Sequence, residues 1–256
     1  MLLHRMPPAV LGSNCYVIVP AGKQGALVVD PGAGAASGVV EFLKTNNLSL
    51  EAVLLTHGHA DHCWDSAAVV AGMGQAQCPV YVPSPDLYRL DDPEATTGIY
   101  MRGRGFSALA GTPWRRPLNV VALPQRAYSD GVELISGLPV RAVAAPGHTE
   151  GSSLFLTVAQ MDASHELLAE AEVETSGTGT QLLALTGDVI FKGSVGRDDL
   201  PGGSHQDMLG SLRFLANAID PATVLLPGHG AATTMAHEHH ANPYMHEAKT
   251  FGGELD

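Results

Sequence analysis

Four side chains of the kind that hold divalent metals fall within six consecutive residues: His57, His59, Asp61 and His62, in the stretch THGHADH. Imidazole nitrogen and carboxylate oxygen suit divalent transition metals, and a catalytic site leaves at least one coordination position to water or substrate. In an extended or tightly turned loop His57 and His59 point the same way, while Asp61 and His62 can turn toward a second centre. One tetrahedral ion could not easily use all four. Three more donors stand far along the chain: His148 in APGHTEGSS, Asp188 in LTGD and His229 in LLPGHG. They would complete two sites, with Asp188 suited to bridging because a carboxylate offers two oxygens. Two ions about 3.5–4 Å apart would share a water and lower its pKa from about 15.7 toward neutrality.

The elements that must position these donors show the same pattern each time. AVLLT precedes His57, VRAVAAPG precedes His148, QLLALTG precedes Asp188 and TVLLPG precedes His229. Apolar, β-branched runs ended by Gly, Pro or Thr read as buried strands passing into loops, so strand ends present the donors. Strand patterns occur at 15–19, 26–29, 52–55, 79–82, 132–135, 140–145, 153–158, 181–186 and 223–226. Helical patterns lie at about 36–46, 65–73 and 205–219. In the last, Met208, Leu212, Leu215 and Ile219 share one apolar face and Ser204 is placed to cap it. Residues 84–117 and 160–180 interrupt the alternation and are expected to be surface insertions in a single domain over 1–256, the second partly disordered. No internal repeat is evident.

Composition narrows the function. With 256 residues and 45% hydrophobic residues, one α/β body needs no staples to fold. Fourteen Lys and Arg against 26 Asp and Glu give a net charge of −12, which disfavours a phosphate-binding face, so nucleic acid is not an expected partner. Three cysteines, Cys15, Cys63 and Cys78, argue against a disulfide framework and fit a reducing compartment. No apolar run reaches the roughly 18 residues of a membrane span, and MLLHRMPPAV carries prolines where a signal peptide is apolar. A cytoplasmic location with no membrane contact is expected.

Together, T-H-x-H-x-D-H (56–62), G-H-T (147–149), T-G-D-x-x-F (186–191) and P-G-H-G (227–230) closely resemble, in this order, the motifs of the metallo-β-lactamase fold superfamily. They look most like those of its glyoxalase II, or hydroxyacyl-thioester hydrolase, branch. The likeness spans about residues 12 to 245, taking in Asn14-Cys15-Tyr16, VVDPG at 28–32, GSVGRDDLPGGS at 193–204, the threonines 233–234, and Glu238 followed by Asn242-Pro243. It implies an αββα sandwich of two mixed β-sheets flanked by helices. It places His57, His59 and His148 on a first metal and Asp61, His62 and His229 on a second, with Asp188 bridging. The cofactor implied is a pair of divalent ions, zinc first, with iron or manganese as alternatives.

The activity implied is hydrolysis of a small-molecule thioester by attack of a metal-bridging hydroxide, Asp61 also orienting the nucleophile and carrying a proton. Arg197 occupies the place of a basic residue that holds the thiol's carboxylates in glutathione-dependent relatives; an ion pair with Asp198 or Asp199 is the alternative. The chain runs only from Pro243 to Asp256 after the last motif, so a C-terminal helical region that anchors glutathione is not expected and the thiol carrier stays open. Asp30 reads as a turn and hydrogen-bonding residue, Cys63 as packed, and Glu238 and Asn242 as a closing helix cap rather than a third metal site with the neighbouring histidines. Two rival functions remain: a mono-iron persulfide dioxygenase using His57, His148 and Asp188, and a noncatalytic metal-binding module. A β-lactamase is less favoured, because Asp188 belongs to the hydrolase branches.

Overall fold

The computed structural model describes residues 1–7, 9–98 and 104–251. The chain divides into two compact units, Met1–Val140 and Arg141–Asp256.

The first unit carries a six-stranded mixed sheet in the order β1 (Leu2–Arg5), β2 (Tyr16–Val19), β3 (Gly25–Val29), β4 (Ser49–Leu54), β5 (Val80–Val82) and β6 (Val120–Ala122). The pairs β1/β2 and β2/β3 are antiparallel; from β3 to β6 every pair is parallel. The continuous apolar runs YVIV and GALVV are buried along their whole length, as strands covered on both faces must be. Helices α1 (Ala36–Thr45), α2 (Ala60–Cys63), α3 (Ser66–Gly72), α4 (Pro93–Thr97) and α5 (Phe106–Ala110) follow the strands. Val39 and Leu43 of α1 and Val69 of α3 pack on Val17, Val28, Val53 and Val80 of the sheet, each such side chain contributing about 1.5–3 kcal/mol on burial. Trp64 is buried against Phe106 at a ring distance of 4.8 Å, with Ala33 and Ala60 in the same cluster.

Register decides what this sheet presents. Val29 at the end of β3 lies beside Leu54 at the end of β4, and Leu54 lies beside Tyr81 of β5. The carboxyl ends of three parallel strands therefore deliver Asp30, the 55–62 stretch and the 83–90 stretch along one edge, where open α/β sheets build their sites.

A second six-stranded sheet runs β12-β11-β10-β9-β8-β7: β7 (Val132–Ile135), β8 (Leu138–Ala144), β9 (Ser153–Asp162), β10 (Thr178–Gly187), β11 (Val224–Pro227) and β12 (Thr233–Thr234). The unit boundary falls within β8. Here β10 and β11 are parallel, with Gly187 beside Pro227, and the other pairs are antiparallel. Ala144 at the end of β8 pairs with Ser153, and Phe155 with Leu185. The ends of β8, β10 and β11 thus share an edge, from which His148, Asp188 and His229 follow.

Helices α6 (Glu166–Glu170), α7 (His205–Ala218), α8 (Met235–Ala241) and α9 (Pro243–Thr250) complete the second unit. Ser204 caps α7 by accepting from the Asp207 amide, and Leu212 and Leu215 meet Leu154, Ala184, Leu225 and Met245 in its core. Pro243 opens α9 at a position where a missing N–H costs nothing.

The 160–180 stretch is ordered more fully than expected. The strands β9 and β10 extend into it, and Leu167 and Leu168 of α6 are fully buried. In the 84–117 stretch, of which 99–103 lie outside the described residues, Asp86, Arg89 and Phe106 have no exposure at all. Both stretches therefore contribute to the body of their unit. Among the described residues no helix is long and apolar enough to cross a membrane.

Candidate metal centre

In the first unit the donor stretch leaves β4 and turns into α2. His59 occupies the N-cap, so Asp61 and His62 lie on the single turn of that helix while His57 and His59 precede it. The His57 ring stands 4.9 Å from that of His59 and 4.3 Å from that of His62, and all four donors are buried. The clustering expected of the spacing is therefore present.

One carboxylate organises it. Asp30, held at φ 50°, accepts the Thr56 amide at 2.8 Å through Oδ1 and the Thr56 hydroxyl at 2.6 Å through Oδ2, which also faces His62 Nδ1 at 3.0 Å. A carboxylate can only accept, so the Thr56 hydroxyl spends its proton on Asp30 and its oxygen must accept from His57 Nδ1, 3.0 Å away. Both rings are thereby fixed with the proton on Nδ1, leaving Nε2 to coordinate. Asp30, His57 and His62 offer atoms within 4.8 Å of one another; Asp30 is hydrogen-bonded to His62 directly and linked to His57 through the Thr56 hydroxyl. Asp30 makes the hydrogen bonds to the Thr56 amide, the Thr56 hydroxyl and His62 Nδ1 that its reading as a turn and hydrogen-bonding residue calls for. Ser13 Oγ donates to the Asp61 carbonyl at 2.7 Å and secures the other end of the stretch.

The second unit applies the same device. His148 Nδ1 donates to the Arg197 carbonyl at 2.6 Å, again leaving Nε2. Gly147, at φ 141°, makes the turn before it; a Cβ there would stand 2.4 Å from Met208 Cα, so only glycine lets α7 approach. Asp188 Oδ2 lies 3.5 Å from His148 Nε2 and 3.4 Å from His229 Nε2. In the first unit Asp61 Oδ2 lies 3.7 Å from His62 Nε2. These separations are long for hydrogen bonds. They match the spacing of two ligands on one tetrahedral ion, roughly 3.4 Å for bonds of about 2.0–2.1 Å. The donor chemistry fits divalent metals, with one Asp188 oxygen placed at that spacing from two histidines.

Arg197 Nε and Nη2 grip the Asp199 carboxylate at 2.7 and 2.8 Å in an exposed pair. The hydrogen bond holds Asp199 below and Arg197 above their usual ranges. Cys63 is fully buried beside His62, and burial first, then Asp61, raises its thiol well above the ordinary value, so it stays a protonated packing residue. Glu238 accepts from the Thr233 hydroxyl, the Gly193 amide and Asn242 Nδ2, and Asn242 Nδ2 also donates to the Ser194 carbonyl. The C-terminal cap is thus a clamp on the stretch that leads to Arg197.

Fold and donors together define a metal-dependent hydrolase architecture: two mixed β-sheets flanked by helices, with histidines and aspartates following the strand ends. Residues 8–159 match the Metallo-beta-lactamase superfamily, and the chain belongs to that family. It is 36% identical over 247 residues to an uncharacterized protein of Mycobacterium tuberculosis, covering 96% of this chain and 98% of that one. It is 26% identical over 249 residues to the hydroxyacylglutathione hydrolase GloC of Haemophilus influenzae, covering 96% and 98%. Among solved structures, the B3 metallo-β-lactamase BLEG-1 shares 25% identity with a TM-score of 0.70, covering 95% of this chain and 99% of that one. TTHA1623 in a di-iron-bound form shares 26% identity with a TM-score of 0.65, covering 95% and 100%.

Proposed function

We propose that the protein is a dinuclear metallohydrolase that cleaves a thioester. The observation that carries the metal reading is the position of Asp188 Oδ2, 3.5 and 3.4 Å from two imidazole nitrogens. His57, His59 and His148 are assigned to one ion, Asp61, His62 and His229 to the other, and Asp188 to both. This division is the one that the resemblance to the metallo-β-lactamase fold superfamily implies. Zinc is the first expectation; the di-iron form of TTHA1623 is a reason to test iron as well.

When bound, such ions polarise a carbonyl and bring the pKa of water toward neutrality. The chain's own residues do the rest. Asp30 and the Arg197 carbonyl hold the imidazoles with Nε2 presented, and Asp61 orients the attacking water by accepting its O–H. Water adds to the acyl carbon, the C–S bond breaks, and the proton leaves with the thiolate, giving a carboxylic acid and a thiol. Arg197 has five N–H donors, of which Asp199 uses two. The others are assigned to an anionic group on the thiol carrier.

Thioester chemistry is favoured by the likeness to GloC, named a hydroxyacylglutathione hydrolase. The test is a panel of acyl thioesters varying the thiol carrier, run beside a β-lactam and a persulfide on protein of known metal content. The proposal expects thioester turnover that chelation abolishes. Oxygen uptake with persulfide on one iron per chain, or β-lactam hydrolysis without thioester cleavage, would replace it.

A further inference from the structure

The backbone between the donors cannot hold itself. From Thr56 to His59 the chain follows no strand or helix ladder, and Ala60 opens α2 where the first amides have no partner within the helix; the stretch is buried, and buried amides require acceptors. Two come from the 84–97 stretch. Asp86 Oδ2 accepts the Gly58 amide at 2.7 Å, between His57 and His59. Thr97 Oγ1 accepts the Ala60 amide at 2.8 Å, between His59 and Asp61. Arg89 ties the two acceptors together, its Nε reaching Asp86 Oδ1 at 3.2 Å and its Nη1 the Thr96 carbonyl at 3.0 Å. Asp86 and Arg89 have no exposure and Thr97 has 1%.

The fit is close. A Cβ on Gly58 would stand 2.8 Å from Arg89 Cβ. Thr97 is fixed by α4, whose first turn is capped by Asp92 and opened by Pro93, and which ends on Gly98 at φ 68°. A buried ion pair is an inefficient way to stabilise a fold, since desolvation offsets most of its attraction. Its use directly under the donor stretch points to geometry.

We infer that Asp86 and Thr97, joined through Arg89, are positioning residues that set the spacing of His57, His59 and Asp61 for metal. The inference rests on the reading of 57–62 as metal ligands. Thr97→Val removes the Ala60 acceptor at nearly constant volume, whereas Thr97→Ser keeps it; Asp86→Ala removes the Gly58 acceptor, and Asp86→Asn keeps a carbonyl for it.

Zinc dissociation constants from chelator competition, the visible spectrum of the cobalt form and thermal melting of the metal-free proteins are the readouts. Thr97→Val and Asp86→Ala are expected to bind zinc at least about tenfold more weakly with an altered cobalt spectrum. Thr97→Ser is expected within about threefold of wild type, and Asp86→Asn between Asp86→Ala and wild type. Folded variants that bind zinc like a metal-binding wild type, with its cobalt spectrum, overturn the positioning role alone. A wild type that binds no metal removes the ligand reading and the inference with it. Should a variant fail to fold, amide exchange in the metal-free wild type decides: slow exchange at Gly58 and Ala60 is expected, and exchange at the rate of an exposed loop overturns the inference.

Discussion

At the scale of single residues, the candidate donors are held by groups outside the proposed ligand set. Asp30 is the clearest case, because one buried carboxylate satisfies the Thr56 amide, the Thr56 hydroxyl and His62 Nδ1. Asp30→Ala should lower metal affinity about 10–100-fold. It should also destabilise the metal-free protein by about 1–3 kcal/mol for the donors left unsatisfied, as isothermal titration with zinc and chemical denaturation would show. His205 supplies a pH prediction. Its hydrogen bond to Asp198, 2.7 Å away, and then the charges of Asp198 and Glu247 raise its pKa above 6.5. A raised folded-state value means that the tie contributes fully below the unfolded pKa and is lost as pH climbs through the folded one. Because the ring is exposed, the contribution is small, and the check is spectroscopic: its NMR titration midpoint should lie above 6.5 and fall in Asp198→Asn. The seven candidate donors stood out in sequence because a metal site demands rare residue types at strict places. Thr56, Ser13, Asp86 and Thr97 were not, since each acts through one hydrogen bond and its residue type is common in any loop.

Among elements, the strand ends do most of the positioning, and those were readable: apolar runs before His57, His148, Asp188 and His229 became β4, β8, β10 and β11. What escaped was the content of the two polar stretches. In 160–180 the acidic residues hide a two-leucine core contact, and Glu170 at the end of α6 accepts the Ala232 amide at 3.0 Å, beyond His229. Periodicity cannot find a helix of a single turn. The short edge strands β1, β6 and β12 were missed because so few residues leave no pattern to read. The Glu238 clamp yields a prediction at this scale. Glu238→Ala removes the acceptor of the buried Thr233 hydroxyl and one acceptor each of the Gly193 amide and Asn242 Nδ2, and should cost about 2 kcal/mol, lowering Tm by roughly 4–8 °C in a thermal melt. Activity should fall less in Glu238→Ala than in Asp30→Ala, because Glu238 reaches His148 only through the 193–197 stretch.

For the whole molecule, the central claim of the proposed function is that the seven donors bind a pair of divalent ions. Binding to the native state alone stabilises by mass action, so zinc at about a hundred times its dissociation constant should add about 2.7 kcal/mol. A rise in Tm on zinc addition that is lost with chelator would register it. The most direct measurement is the metal content of protein equilibrated with excess zinc and freed of unbound ion, taken together with hydrolysis of an acyl thioester. The account predicts two ions per chain and turnover that disappears and returns with them. Protein that is folded and active without metal, or that retains none under these conditions, would contradict it.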